Sequence, residues 1–318
     1  MGSKDIVMTA EQKDVRRNKK QIMLFIVFAI LIAWPPMIII SKAYLNPQSF
    51  TFVMFAPFLA TLLADKFSHD KGTGINWKFN IRKNIKLYAF AWFAPIIFSF
   101  LGACIYYLIF PQRFSLQGMQ ILASAHKQTL VQYILIQVLV TSTITVFMSA
   151  VPAMGEEAGW RGYLAPRLYK RFGLVPSLLL TSVVWGAWQW PMLYLQYESI
   201  PKLINTPTGL RVGFSGYLYG CDYVAGPWLG MVCVCIYALA SGIILWWLYT
   251  RCQSVWAASL FHGACDATGM FALGFRDFQS VTQWILGPSL PGILSMIPMA
   301  AFAAYLLIKR RDEMIPKD

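Results

Sequence analysis

Two adjacent carboxylates and an arginine stand at the end of a long apolar run. Glu156, Glu157 and Arg161 follow residues 137–154, which are almost uninterruptedly apolar. A charged side chain inside a bilayer is costly unless it is paired or hydrated, so such charges usually serve a function. Glu157 and Arg161 are four residues apart, a spacing that favours an ion pair on one helical face. Glu156 then lies on another face as the freer carboxylate, suited to act as a general base. A charge cluster at an ordinary helix end is the alternative.

Two later motifs add polar side chains to apolar stretches. Gln189 lies in an aromatic-rich run that ends at Pro191, where its amide could donate a hydrogen bond or only join two helices. His262 and Asp266 are four residues apart, so both project from one helical face. Such a pair could orient an imidazole, stabilise an oxyanion, help to hold a metal or only link helices. The least costly arrangement brings all these polar groups around one interior cavity.

Apolar helices must position these groups. Of the 318 residues, 57% are hydrophobic and only 13% are charged, whereas a soluble domain has about 25% charged residues. The apolar runs are continuous rather than alternating, which argues against a transmembrane barrel. We therefore expect an all-α membrane protein, a bundle of about eight transmembrane helices with a polar intramembrane cavity. The candidate spans are 21–41, 49–65, 87–110, 130–155, 174–195, 227–250, 254–272 and 289–308.

The basic residues predict the orientation of this bundle. The formal net charge is +13, and an N-terminus inside the cell places 21 of the 27 Lys and Arg residues on the cytosolic side. The charge thus indicates a multi-pass cell-membrane protein with both termini cytoplasmic, in contact with anionic lipids rather than nucleic acid. Cytosolic tails of 1–20 and 309–318 flank a single membrane domain of 21–308. We expect the basic segment 75–86 to lie flat on the cytosolic surface.

The three motifs, in this order, resemble the CPBP family of intramembrane proteases. This family comprises the type II CAAX prenyl endopeptidases, the bacteriocin-processing proteins and the abortive-infection proteins. The resemblance covers a motif core of about 140–270, and Trp160 to Leu164 is also typical of the residues that follow the paired glutamates. It rests on Glu156-Glu157-x-x-x-Arg161, on the aromatic run through Gln189, and on His262-x-x-x-Asp266.

The resemblance implies a function for each residue. In such enzymes the first glutamate activates a water, so Glu156 is the expected base. His262 and Asp266 are the expected oxyanion-stabilising pair, and Arg161 is expected to hold Glu157 as structural support.

The chain departs from the family at Gln189, which stands where the second motif has its histidine. Glutamine cannot take up a proton near pH 7, although it can still donate a hydrogen bond to an oxyanion. The metal requirement stays open: Glu156, His262 and Asp266 could supply three zinc ligands, and a metal-free reaction is equally compatible with the sequence.

We therefore predict a peptidase that cleaves a peptide bond with glutamate-activated water, in a cavity open to the cytosolic half of the bundle. Its expected partners are membrane lipids and a peptide or lipidated-protein substrate. The alternative is a weakened or inactive family member, with Gln189 at the histidine position, that acts as a peptide-binding or bacteriocin-immunity membrane protein. A transporter would carry an inverted repeat, and no motif recurs. For the polar groups to meet, the helix with Glu156 must enter the membrane near 137–140 and run past that residue.

Overall fold

A computed structural model describes residues 10–42, 50–69, 72–194, 227–269, 271–275 and 284–316. Throughout these ranges the regular structure is helical, which confirms the predicted class. The α-helices are α1 Ala10–Lys42, α2 Phe50–Val53, α3 Ala56–Ser68, α4 Ile85–Ile109, α5 Gln117–Ala125, α6 Leu130–Ser142, α7 Ile144–Gly159, α8 Ala165–Phe172, α9 Leu174–Trp188, α10 Pro227–Cys252, α11 Val255–Thr268 and α12 Ile297–Lys309. A π-helical turn, Trp160–Leu164, joins α7 to α8.

The number of membrane spans differs from the expectation. Five helical stretches in the described ranges are long and apolar enough to cross a bilayer, namely 13–40, 50–68, 85–109, 130–172 and 228–252. Helices α9 and α12 are apolar but shorter, and α11 has 14 residues. Each of the eight predicted spans contains a helix, yet three of them fall below the ~20 residues that a perpendicular crossing needs. The predicted class of helical membrane protein holds, while the count of eight is not confirmed.

Several predicted boundaries change because local signals start and stop the helices. Helix α1 begins at Ala10, so about half of the expected N-terminal tail is helical. Helix α6 begins with a capping box, in which Thr129 and Gln132 exchange backbone and side-chain hydrogen bonds. It ends at Thr143, whose backbone (φ −123°, ψ −84°) separates it from α7. The predicted span 130–155 is therefore two helices, and the second continues through the π turn as far as Phe172.

The basic segment 72–84 lies against other elements rather than forming a surface helix. Residues 72–80 have no regular structure, and turns lead into α4. The carbonyl of Asn76 accepts a hydrogen bond from the Val255 amide at 3.1 Å, and the carbonyl of Trp77 accepts one from the Trp256 indole at 2.9 Å. The segment thereby holds the start of α11, the helix that carries His262.

Small residues let the helices around the site approach closely. Helix α11 packs between α7 and α4, and α9 packs against α10. A Cβ atom added at Gly263 would lie 2.5 Å from the Cα of Ala150, and one at Gly186 would lie 2.9 Å from the Cα of Cys235. Glycine at such crossings brings two backbones together, as is common between membrane helices. These crossings set the positions of α7, α9 and α11, the three helices with the predicted site residues.

Candidate active site

The paired glutamates lie in the last turn of α7, and Arg161 lies in the π turn that follows. The helix runs well past Glu156, as the convergence of the three motifs requires. Pro152 lies inside α7 without ending it. Single π turns inside α-helices are frequent at functional sites. Glu157 and Arg161 keep the four-residue spacing across this junction, so the two side chains meet.

Glu157 is the centre of a buried charged cluster. Its Oε1 accepts hydrogen bonds from Arg161 Nη1 at 2.9 Å and from His262 Nδ1 at 2.8 Å. The side chains of Glu157 and Arg161 are 0% and 1% exposed, so the expected ion pair forms inside the protein. The Arg161 guanidinium also lies 4.3 Å from the ring centroid of Trp185, a cation–π contact. Because a carboxylate accepts hydrogen bonds, its contact with the imidazole places a proton on Nδ1.

Glu156 is bound differently from its neighbour. Its Oε2 accepts one hydrogen bond from the Trp185 indole at 2.7 Å and another from the Trp160 indole at 3.2 Å. The residue is only 4% exposed, and no ion pair to it exists within the described ranges. The sequence predicted that Glu156 lies on a different helical face from Glu157, and the structure shows this separation. Glu156 is the freer carboxylate in the sense predicted, since Glu157 takes the ion pair with Arg161, although two neutral donors orient its Oε2.

The two residues of the third motif, His262 and Asp266, lie on one face of α11. His262 Nε2 lies 3.7 Å from Asp266 Oδ2, which is an ion-pair distance and too long for a direct hydrogen bond. His262 is 5% exposed, whereas the Asp266 side chain is 29% exposed. The imidazole therefore lies between a buried carboxylate on Nδ1 and a more exposed carboxylate near Nε2.

One cavity of about 230 Å³ collects the predicted side chains. Gln189, the C-cap of α9, is half-buried at its wall. Aromatic residues Trp185, Trp188 and Tyr237 also line the cavity. The residues predicted to be catalytic are all in the lining: Glu156, Gln189, His262 and Asp266. Their convergence is therefore observed, while their catalytic functions stay a prediction.

The lining of the cavity includes residues near several helix ends. These are Met37 near the end of α1, Thr51 in α2 and Ala267 near the end of α11. The orientation of the bundle in the membrane is a prediction from the charge pattern, so the side to which the cavity opens also stays a prediction.

The metal requirement stays a prediction. Among the described residues, no group of three His, Cys, Asp or Glu side chains is arranged to hold a metal ion. Glu156, His262 and Asp266, the candidate ligands, line the cavity without forming such a group. We therefore derive no chemical step through a metal.

Sequence reasoning missed two kinds of supporting residue. It did not identify the indoles of Trp160 and Trp185 as donors to Glu156, although Trp160 is four residues from it and faces the same way. It also missed Asp65, a buried residue of α3 whose Oδ1 accepts a hydrogen bond from the Tyr163 hydroxyl at 2.8 Å. Arg167 lies 3.7 Å from the same oxygen and stacks its guanidinium on the Tyr163 ring. A single acidic residue in α3 carried no spacing signal that would have revealed this contact.

The fold and the polar site together define a helical membrane protein in which buried carboxylates and an imidazole meet at one cavity. Residues 136–268, which carry all three motifs, match the family described as type II CAAX prenyl endopeptidase Rce1-like. A stretch of 56 residues is 34% identical to the CAAX prenyl protease 2 of Methanococcus maripaludis, covering 16% of this chain and 21% of that protein. The matched stretch thus spans about a fifth of the curated relative. The resemblance predicted from the three motifs is confirmed for this region, which is similar to a family of peptidases.

Proposed function

We propose that this chain is an intramembrane endopeptidase in which Glu156 activates a water molecule for attack on a peptide carbonyl. The observation that carries the proposal is the position of Glu156. This carboxylate is buried at the wall of a cavity, held by two indoles and outside the ion pairs of the described residues, while Glu157 beside it takes the structural ion pair. A general base needs such a fixed position within reach of its substrate.

The proposed chemistry follows from the different surroundings of the two oxygens of the Glu156 carboxylate. The indoles hold Oε2, so Oε1 takes a proton from water as the water oxygen attacks the carbonyl carbon. The resulting tetrahedral oxyanion accepts hydrogen bonds from Gln189 and from a protonated His262. The protonated Glu156 then returns its proton to the leaving amine, which breaks the carbon–nitrogen bond and restores the base.

Glu157 and Asp266 serve this reaction through the imidazole. Glu157 fixes the His262 ring by its bond to Nδ1, and Asp266 favours a proton on Nε2, the nitrogen on its side. Arg161 balances the charge of Glu157 in an interior where an unpaired carboxylate is costly.

The substrate we propose is a peptide or lipidated protein that reaches the site from the membrane. The matched relative from Methanococcus maripaludis is a CAAX prenyl protease. The test therefore uses purified protein in liposomes with two peptide libraries, one unmodified and one carrying a prenylated cysteine. Glu156→Gln keeps the shape of the side chain and is expected to lower turnover about 10²–10⁴-fold. Asp312→Asn, which changes an exposed carboxylate outside the lining of the cavity, is the matched control. Equal turnover by the native and Glu156→Gln proteins would remove Glu156 from the mechanism.

Gln189 supports a second candidate, an inactive family member that binds peptides or confers immunity to a bacteriocin. A neutral amide at the wall of the cavity can bind a carbonyl but cannot exchange a proton near pH 7. Gln189→His separates the two candidates in the same assay. Cleavage by the variant alone supports the binding protein, whereas cleavage by the native chain excludes it.

A further inference from the structure

Helix α3 contacts the part of α7 that carries the paired glutamates. A Cβ atom added at Gly155 would lie 2.9 Å from the Cα of Phe55, and one added at Gly159 would lie 2.8 Å from the carbonyl carbon of Pro57. The two glycines flank Glu156 and stand four residues apart, so one face of α7 touches the backbone at the start of α3. The proposed base therefore lies in a stretch of α7 that is held directly against α3.

Polar side chains extend this contact to the π turn. Tyr163, four residues beyond Gly159, donates its hydroxyl to Asp65 Oδ1 at 2.8 Å. Arg167 lies 3.7 Å from the same oxygen, and its Nη1 donates to the carbonyl of Tyr163 at 3.1 Å. Tyr163 and Asp65 are 0% and 5% exposed, and a buried hydroxyl or carboxylate is costly unless it is paired. The position of the π turn on α3 is therefore fixed by a specific bond as well as by packing.

The same turn carries side chains that bind both glutamates. Trp160 donates to Glu156 Oε2 at 3.2 Å, and Arg161 donates to Glu157 Oε1 at 2.9 Å. Tyr163 lies within one helical turn of both donors. A π turn is a rare departure from α-helical geometry, so we expect tertiary contacts to maintain it. A shift of this turn would move the donors of both carboxylates.

We infer that Asp65 is a positioning residue for the candidate site. Its bond with Tyr163 holds the π turn against α3, and Trp160 in that turn orients Glu156. Asp65 is outside the lining of the cavity that the described residues form, so it acts through the turn and not on the substrate. The effect on turnover rests on the proposed peptidase, whereas the anchoring of the turn does not. A misplacement of about 1 Å can lower a rate about 10²-fold, even when it originates far from the chemistry.

Spin-label distances test the anchoring without depending on turnover. In a background whose six native cysteines are replaced, Lys66→Cys on α3 and Arg171→Cys on α8 carry nitroxide labels at exposed positions. Tyr163→Phe and Asp65→Ala each remove the bond between the two elements and should broaden the distribution of distances between the labels. Tyr88→Phe removes another buried tyrosine hydroxyl, one that reaches the segment before α4, and should leave the distribution unchanged.

Steady-state kinetics test the consequence for Glu156. Tyr163→Phe is expected to lower kcat about 10- to 100-fold with a smaller change in KM, because the base is misplaced while the cavity wall is kept. Asp65→Asn keeps an acceptor oxygen for the tyrosine hydroxyl and should lose less. Trp160→Phe should also lower kcat. The double variant Tyr163→Phe/Trp160→Phe should be no slower than the slower single variant, because both changes act through one contact.

The expected result is a broader distance distribution together with losses of kcat that are not additive. An unchanged distribution in Tyr163→Phe and Asp65→Ala, or losses of kcat that multiply in the double variant, would overturn the inference. Equal broadening in Tyr88→Phe would show a general loosening of the bundle and would overturn it as well. If the distribution broadens while the native and Glu156→Gln proteins turn over the peptides equally, the proposed peptidase fails and the anchoring of the π turn by Asp65 stands.

Discussion

Glu156 and Glu157 are adjacent and chemically identical, yet the helix places them in different surroundings. Glu157 meets Arg161 and His262, two groups that carry or can carry positive charge. Glu156 lines the cavity, and its hydrogen bonds within the described ranges come from two neutral indoles. The first arrangement stabilises a fixed negative charge, while the second orients a carboxylate and leaves it able to exchange a proton with a substrate water.

Removing one indole donor should slow catalysis without preventing substrate binding. Trp185→Phe keeps the aromatic ring but removes the 2.7 Å hydrogen bond to Glu156. A hydrogen bond to a charged group contributes about 1.5–3 kcal/mol, so we expect kcat to fall about 10- to 100-fold with a smaller change in KM. Steady-state kinetics on a cleaved peptide provide the measurement.

Trp188→Phe is the matched control for that variant. Trp188 also lines the cavity and is buried, but its indole donates to the carbonyl of Ala29 at 3.1 Å rather than to Glu156. An equal loss of kcat in both variants would show that ring packing, rather than the bond to Glu156, determines the rate.

Removing the buried cation should destabilise the protein strongly. Arg161→Met leaves Glu157 buried with only the imidazole as partner, and breaking a buried pair costs about 3–5 kcal/mol. Unfolding followed by tryptophan fluorescence in detergent measures this loss. Arg17→Met removes a pair with Asp14 whose side chains are 47% and 48% exposed, and it should cost about 0–1 kcal/mol. A similar small loss in both variants would mean that the interior of the bundle is hydrated around Arg161.

At the scale of helices, the sequence predicted contacts within an element better than contacts between elements. Glu157 and Arg161 could be paired from their spacing alone, because one helix fixes both positions. The bond between Glu157 and His262 joins residues 105 positions apart, and it depends on how α7 crosses α11. No periodicity encodes that crossing, so the family resemblance supplied the convergence of the motifs and the structure supplied the partners.

The predicted helix boundaries were wrong where composition alone did not indicate a break in the helix. The run from 130 to 155 contains no charged residue, yet the backbone at Thr143 divides it. Segment 72–80 has the basic and apolar mixture of an interfacial helix but forms hydrogen bonds with the start of α11 instead. In both places contacts with other elements determine the local structure. The sequence pattern describes only the preference of a segment for the membrane.

The crossing of α7 and α11 predicts a sensitive glycine. In Gly263→Ala the new methyl would lie 2.5 Å from the Cα of Ala150, so the two backbones must separate. Overpacking of this kind costs about 1–3 kcal/mol, and the separation also moves His262, one residue away. We expect a lower melting temperature together with reduced turnover.

Gly162→Ala offers a milder comparison for the same measurement. Its nearest neighbour would be the Ile75 side chain at 3.0 Å, which can shift without moving a helix. Equal destabilisation by the two substitutions would argue against backbone contact as the limiting factor at the crossing.

At the scale of the whole molecule, hydrogen bonds fasten the segment before α4 to the junction of α10 and α11. Asn80 donates to the carbonyl of Cys252 at 2.5 Å, and the Trp256 indole donates to that of Trp77. Besides the polar cavity around Glu156, the described residues line an apolar cavity of about 810 Å³, with residues such as Phe100 and Ile134 in its wall.

The turn after α12 contributes to this fastening and makes it depend on pH. Glu313 accepts a hydrogen bond from the Trp247 indole of α10 at 2.9 Å and another from Arg310 at 2.6 Å. The bond from Trp247 first, and then the nearby arginines, hold the pKa of the Glu313 carboxyl below its usual range. Because the folded-state pKa is lowered, the stabilisation is complete above the unfolded-state value of about 4.3 and is lost as the pH falls through the folded-state value.

Glu313→Gln should therefore lower the melting temperature at pH 7, and the difference from the native protein should shrink as the pH falls below about 4.3. Thermal unfolding in detergent between pH 7 and pH 3 measures both quantities. Asp312→Asn changes an exposed carboxylate of the same turn. It should leave the change in melting temperature between pH 7 and pH 3 the same as in the native protein. The loss of melting temperature in Glu313→Gln could instead be as large at pH 3 as at pH 7. That result would show that the glutamate fastens α12 to α10 through its shape and not through its charge.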